Sequence, residues 1–215
     1  MMAADIIEVI GNKITPEVIK QICMILQNHG LVVAPTETRY GLLIRADRKE
    51  TLKKLFELKK RPMTSPTAIF VKNKADLFEY GEQSDSASIL AEKFLPGPLT
   101  MILKAKAPIE PEILKDGKIG LRLSSSPIIQ SIMDGVNFPV SATSANRTGS
   151  PDHSTIVEIR AELGDEVDLY LDGGALTGKT STVVDCSVNP PVVLREGAIA
   201  SSLIYSHLKL GKYHG

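Results

Sequence analysis

The chain has 215 residues, 43% of them hydrophobic, with 25 Lys plus Arg balanced by 25 Asp plus Glu. A net charge of zero excludes a polycation, so any nucleic-acid contact needs a local basic patch. No apolar run reaches the ~20 residues of a membrane span, and the two cysteines, Cys23 and Cys186, offer neither a disulfide framework nor a metal spacing.

The first residues, MMAADIIEVIGNK, lack a basic stretch ahead of their apolar ones and make a poor signal peptide. The expectation is a reducing, cytoplasmic compartment, with both cysteines packed as small hydrophobes. Ile6–Ile10 reads as a short strand. Thr15, Pro16 and Glu17 open a helix with a capping hydroxyl, a proline at the first helical position and an acid in the first turn. Val18, Ile19, Ile22, Ile25 and Leu26 form its apolar face, and Gly30 is its expected stop. Leu31–Ala34 is a buried strand that should end at Pro35, which cannot donate to a ladder. The turn beyond it holds Thr36, Glu37, Thr38, Arg39 and Tyr40, and loops leaving strand ends are favoured ligand sites in α/β proteins. Leu42–Ile44 is a second apolar segment.

Arg48–Leu58 reads as a helix. From Arg48 to Arg61 there are seven Lys or Arg and two Asp or Glu, and Lys59, Lys60 and Arg61 cluster just before Pro62, where the helix should stop. Strands are expected at Thr67–Val71, Leu99–Leu103, Ile119–Leu123, Leu169–Leu171, Ser181–Cys186 and Val192–Leu194. Helices are expected at Asp85–Phe94, from Ser126-Pro127 to Gly135, at Thr155–Leu163 and at Ile199–Leu210. Ser141–Asn146 is a run of small hydroxyl and amide side chains, and Met63–Pro66, beside Pro62, is a candidate lid. Interspersed helices and strands without a linker argue for one α/β domain over residues 1–215, built on a twisted mixed β-sheet.

The chain has no phosphate-loop, dinucleotide or nucleophile-elbow motif, and His29, His153, His207 and His214 show no metal spacing. What remains is a set of cations and small polar groups placed after strands. Lys59, Arg61, Arg122 and Arg195 suit a phosphate or carboxylate; Ser144, Asn146 and Ser181 suit a polar ligand. An anion site with no nucleophile or base points to phosphoryl or nucleotidyl transfer, where positioning and charge stabilisation supply most of the catalysis. Scattered surface cations and loop hydroxyls are the competing reading of the same residues.

Seven segments in order resemble the YrdC-like family, whose enzymes make threonylcarbamoyl-adenylate. They are PTETRYGL at Pro35–Leu42, ELKKRP at Glu57–Pro62, LPGPLT at Leu95–Thr100, GLRL at Gly120–Leu123, TSANRTGSP at Thr143–Pro151, STVVD at Ser181–Asp185 and LREG at Leu194–Gly197. The resemblance implies the short single-domain form of the fold, with a basic concave face. It also implies a reaction of L-threonine, bicarbonate and ATP that yields threonylcarbamoyl-AMP and pyrophosphate, with Mg2+ accompanying the nucleotide. The product would pass to a separate threonylcarbamoyl transferase acting on tRNA, and family members are associated with double-stranded RNA. Carried over by motif, Thr38, Arg122, Ser144 and Ser181 contact threonine. Lys59 and Arg61 are the catalytic pair on the phosphates, and Ser65, Ser144, Asn146, Ser154 and Arg195 join them on the nucleotide.

Three positions depart from the family pattern. Arg39 replaces a small apolar residue, Ser124 stands where a proline is usual, and Phe70 falls about where a histidine is common. They bear on which amine is accepted more than on the fold. A relative that activates another carbamate, and a non-catalytic RNA-binding module, stay open beside the leading reading.

Overall fold

The computed structural model describes residues 5–11, 13–63, 65–106 and 109–209. Its eleven strands are β1 (Asp5–Glu8), β2 (Val32–Pro35), β3 (Tyr40–Leu43), β4 (Ile69–Phe70), β5 (Leu99–Lys104), β6 (Lys118–Arg122), β7 (Val140–Ser141), β8 (Thr143–Ser144), β9 (Leu169–Asp172), β10 (Thr182–Asp185) and β11 (Val192–Arg195). The seven α-helices are α1 (Pro16–Gln27), α2 (Lys49–Leu58), α3 (Lys74–Tyr80), α4 (Asp85–Phe94), α5 (Pro127–Gly135), α6 (Ile156–Leu163) and α7 (Ser201–His207). The expected α/β class holds. The strands form two mixed sheets, ordered β1-β9-β2-β3-β8 and β11-β10-β5-β6-β4-β7.

The sheets are joined where the chain passes from β7 to β8. Ser141, fully buried, donates its N–H to the Ile44 carbonyl at 3.0 Å, and its hydroxyl accepts the Ile44 N–H at 3.1 Å and donates to the Leu42 carbonyl at 2.8 Å. Ala142 N–H donates to the Ala68 carbonyl at 2.7 Å. One short stretch thus satisfies backbone groups of both sheets, which is why small hydroxyl residues occur there.

Each sheet follows its side-chain alternation. In β2, Val32 and Ala34 face a core shared with α1 and α5, while Val33, like Leu31 just before the strand, faces the larger core. A strand buried on both faces must be apolar throughout, as this one is. In the second sheet β4 and β7 are buried on both faces, whereas β5, β6 and β10 pack one face into the core. Leu99, Met101 and Leu103 of β5, Ile119 and Leu121 of β6 and Val184 of β10 join the larger core. The alternate residues, among them Thr100, Ile102, Lys118, Gly120, Arg122, Val183 and Asp185, line an open cleft.

The helix ends match their local chemistry, with one change. Thr15, Asn73 and Ser84 cap α1, α3 and α4, and Thr155 with Glu158 forms a capping box on α6. At the end of α1 it is His29, at φ 64°, that takes the left-handed conformation expected of Gly30. Gly30 is needed for closeness: its N–H bonds Ile25 O at 2.8 Å, and a Cβ there would lie 2.5 Å from the Ile25 side chain. Helix α3 had no counterpart in the sequence reading, and the strand expected at Thr67–Val71 is only two residues long. Leu210, expected at the end of the last helix, lies outside the described residues, as do Thr64 of the candidate lid and His214. Cys23 is half-buried and Cys186 buried, both as free thiols. No described helix is long and apolar enough to cross a membrane.

Candidate active site

The open face of the second sheet, closed on one side by the β2–β3 turn and the 142–152 segment, forms a cleft of about 580 Å³. Its lining carries six cations (Arg39, Arg61, Lys115, Lys118, Arg122 and Arg195) and three carboxylates (Asp116, Asp152 and Asp185). A neutral chain has therefore gathered positive charge on one concave surface. Low-dielectric walls concentrate such a field on an anionic ligand.

At one end, the β2–β3 turn presents Thr38 to Arg122. The Thr36 hydroxyl accepts the N–H groups of Thr38 and Arg39 at 3.1 and 3.2 Å and donates to the Arg39 carbonyl. That side-chain turn orients Thr38. Arg122 Nη2 then donates to Thr38 Oγ1 at 2.7 Å and to Glu37 Oε1 at 2.8 Å. The second Glu37 oxygen takes the Ser124 hydroxyl, whose own oxygen accepts the Ser126 N–H at 3.1 Å. The Phe70 ring lies 5.6 Å from the guanidinium. Arg122 Nε is buried with no hydrogen-bond partner among the described residues.

Across the cleft, Ser181 and Thr100 share a hydrogen bond of 3.0 Å, and Arg195 Nη2 donates to the Ser181 carbonyl at 3.0 Å and its hydroxyl at 3.2 Å. Arg61 donates to the Pro66 carbonyl. Burial lowers the pKa of both Arg61 and Arg195, and neither has a carboxylate within ion-pair distance among the described residues. Lys118, farther along β6, is paired with Asp185 at 2.9 Å.

Of the residues singled out in the sequence, Thr38, Arg61, Arg122, Ser144, Ser181 and Arg195 share this lining. Lys59, Asn146, Ser65 and Ser154 do not. Lys59 and Asn146 stand behind Ser144, and Ser154 accepts a hydrogen bond from Arg39 Nη1 at 3.0 Å. Sequence reasoning missed the anchoring of the 173–181 loop. Arg39 Nη1 donates to Leu176 O at 2.8 Å, while the Tyr40 hydroxyl donates to Gly174 O at 2.7 Å and accepts the Gly173 N–H at 2.9 Å. Burial pushes the Tyr40 phenol up to about 12, so it stays a donor. Glu37 was visible only as one polar residue of the turn and Asp185 only as the end of the STVVD segment, and Lys118, just ahead of the strand expected at Ile119–Leu123, was not singled out. Among the described residues, no three His, Cys, Asp or Glu side chains are grouped to hold a metal.

The Sua5/YciO/YrdC domain family, described as telomere recombination, matches residues 24–197. A relative from Methanocaldococcus jannaschii is 34% identical over 80% of this chain and 82% of its own. A threonylcarbamoyl-AMP synthase of Pyrococcus abyssi is 32% identical over 79% of this chain, which spans only 51% of that enzyme. The crystal structure of P. abyssi Sua5 complexed with L-threonine superposes with a TM-score of 0.89 at 29% identity, covering 95% of this chain and 61% of that one. Escherichia coli YciO, a protein of uncharacterised activity, is 30% identical over 83% of this chain and 88% of its own. Its crystal structure gives a TM-score of 0.86 and covers 94% and 99% of the two chains.

Proposed function

The chain belongs to the Sua5/YciO/YrdC family, and on that premise we propose that its cleft is a nucleotidyltransferase site making threonylcarbamoyl-AMP and pyrophosphate from L-threonine, bicarbonate and ATP. The observation that carries the reading is Arg122, anchored on Thr38 in the cleft lining, opposite Arg61 and Arg195. A guanidinium anchored in the wall of a low-dielectric cleft is suited to a substrate carboxylate. Two further arginines without carboxylate partners are suited to phosphates.

In the proposed reaction the threonine amine attacks the bicarbonate carbon and water leaves, which gives a carbamate. A carbamate oxygen attacks the α-phosphorus of ATP, and the bond to the bridging oxygen breaks as pyrophosphate leaves. Arg122, Thr38 and Ser181 hold the amino acid. Arg61 and Arg195 offset charge that builds on the phosphates, the largest contribution such a site makes. Ser144, with Asn146 behind it, faces the nucleotide. Among the described residues no three His, Cys, Asp or Glu side chains are grouped to cage a metal, so a Mg2+ would arrive on the nucleotide's phosphates. Bound that way it would neutralise phosphate charge. The product would serve a transferase that modifies tRNA.

A second reading is activation of a different amino-acid carbamate. It is favoured by Glu37, whose carboxylate already occupies Arg122 Nη2, and by full-length similarity to YciO. Pyrophosphate release from ATP and bicarbonate, with and without L-threonine, tests both. Threonine-dependent release lost in Arg122→Ala supports the first; release dependent on another amine supports the second. No release with any amino acid overturns the enzymatic reading and leaves the basic cleft as an RNA-binding surface.

A further inference from the structure

Lys59 follows the last residue of α2 and is 3% exposed. Its ammonium is surrounded by three oxygens: the carbonyls of Ser144 and Asn146, the latter at 2.6 Å, and Asn146 Oδ1 at 3.5 Å. An ammonium has three N–H groups, so every donor is in use. Its backbone is tied to the same loop, because the Lys59 carbonyl accepts the Thr148 N–H at 2.8 Å. The next residue, Lys60, has φ 49°. That left-handed turn ends α2 and lets the Arg61 N–H bond Phe56 O at 2.8 Å. It places Lys59 in the wall and Arg61 in the lining. Ser144 is in the lining too, and its hydroxyl donates to Asn146 Oδ1, while Asn146 Nδ2 donates to Ser150 O at 2.9 Å.

We propose that Lys59 is a positioning residue: from behind the wall it clamps the 144–150 loop and so sets Ser144 against the nucleotide, without itself touching a phosphate. The proposal rests on the reading of the cleft given above, but the clamp exists in the free protein. The loop is also held by Ala145 N–H on the Tyr40 carbonyl, Thr148 N–H on the Lys59 carbonyl and Asn146 Nδ2 on the Ser150 carbonyl, but the ammonium ties down the carbonyls of both Ser144 and Asn146, so loss of that cation loosens the loop. The groups facing the ammonium are Arg61, Glu162 of α6, which pairs with His153, and Asp152. Burial, then Arg61, brings the Lys59 pKa down to about 8, against Glu162 and Asp152. Above that pH the neutral amine has two N–H groups for three oxygens, and the clamp weakens.

The test is amide hydrogen exchange of residues 144–150 in the free protein, with ATP and adenosine affinities measured on the same samples. Lys59→Met is expected to speed exchange at Asn146–Ser150 at least about tenfold, with Lys59→Arg restoring most of the protection. Affinities for ATP and adenosine should fall by similar factors. In the wild type, exchange corrected for its intrinsic rate should rise as pH passes 8, and that rise should be absent in Lys59→Arg. Unchanged exchange in Lys59→Met, together with a loss of affinity for ATP but not adenosine, would overturn the proposal and assign Lys59 to the phosphates. Because exchange is read without turnover, it decides the role of Lys59 even if no pyrophosphate is ever released.

Discussion

Arg122 and Glu37, 85 residues apart in the chain, meet at 2.8 Å where the β2–β3 turn crosses the end of β6. Both are nearly enclosed, with side-chain exposures of 9% and 14%. A buried pair of this kind contributes little net stability, but removing one partner strands the other, at a cost of about 3–5 kcal/mol in a full interior and less where water still reaches. Glu37→Gln should therefore lower stability by about 1–3 kcal/mol in chemical denaturation. Arg122→Ala should do the same and also raise the KM of the amino acid at least about tenfold, with a smaller effect on the KM of ATP. Arg122→Lys should fail to restore it, since a point cation cannot replace a planar fork. Equal changes in both KM values would count against a carboxylate at Arg122.

Gly197 is predicted to be intolerant of any side chain. A Cβ there would lie 2.2 Å from the Thr180 carbonyl oxygen, and backbone on a sheet-joining loop cannot retreat. Gly149 makes the contrast: its φ is +88°, but nothing stands within 4 Å of an added Cβ. Gly197→Ala should cost more than about 3 kcal/mol or abolish soluble expression, and Gly149→Ala about 1 kcal/mol. Denaturant midpoints of the two variants, measured side by side, check this.

The α6 capping box predicts a cost without a catalytic component. The Thr155 hydroxyl accepts the Glu158 N–H at 3.3 Å, and Glu158 returns a bond to the Thr155 N–H at 3.0 Å. Thr155→Ala should lower stability by about 1 kcal/mol. An unchanged melting temperature would mean that α6 is held by packing alone.

Acid should loosen the far end of the cleft. Burial would raise the Asp185 pKa, but hydrogen bonds from Ser187 and the ion pair with Lys118 outweigh it and hold the carboxyl below its ordinary 3.8. The stabilisation is therefore complete above pH 3.8 and is lost as pH falls through the lowered value. Asp185→Asn should be less stable than wild type at pH 6, and the gap should narrow toward pH 3. A gap that stays constant with pH would show that the carboxylate's charge plays no part.

Much of the architecture was legible because it is written at short range. The unbroken apolar run Leu31–Ala34 is buried on both faces, and α4 keeps the expected bounds, Asp85–Phe94. The polar alternates of β5, β6 and β10 lie on one face because side chains on a strand repeat every second residue. Thr38, Arg61, Arg122, Ser144, Ser181 and Arg195, each picked from a motif, come together in one lining. Strands of two residues, at Ile69–Phe70, Val140–Ser141 and Thr143–Ser144, are too short to show any period. They exist because neighbouring backbone groups from distant segments must be satisfied there.

Most of the elements, the buried faces of the longer ones and six of the cleft residues were thus determined by the amino-acid sequence alone, through local propensity, periodicity and motif. Tertiary structure alone decided the partners. It set the Glu37 carboxylate on Arg122, drew Arg39 and Tyr40 onto the 173–181 loop, and turned the Lys59 ammonium into the wall while Arg61 entered the cleft. The Lys-x-Arg spacing is the same in either arrangement. What separates the two side chains is the left-handed turn at Lys60 and the carbonyls of a loop more than eighty residues away, which no local pattern in the chain encodes.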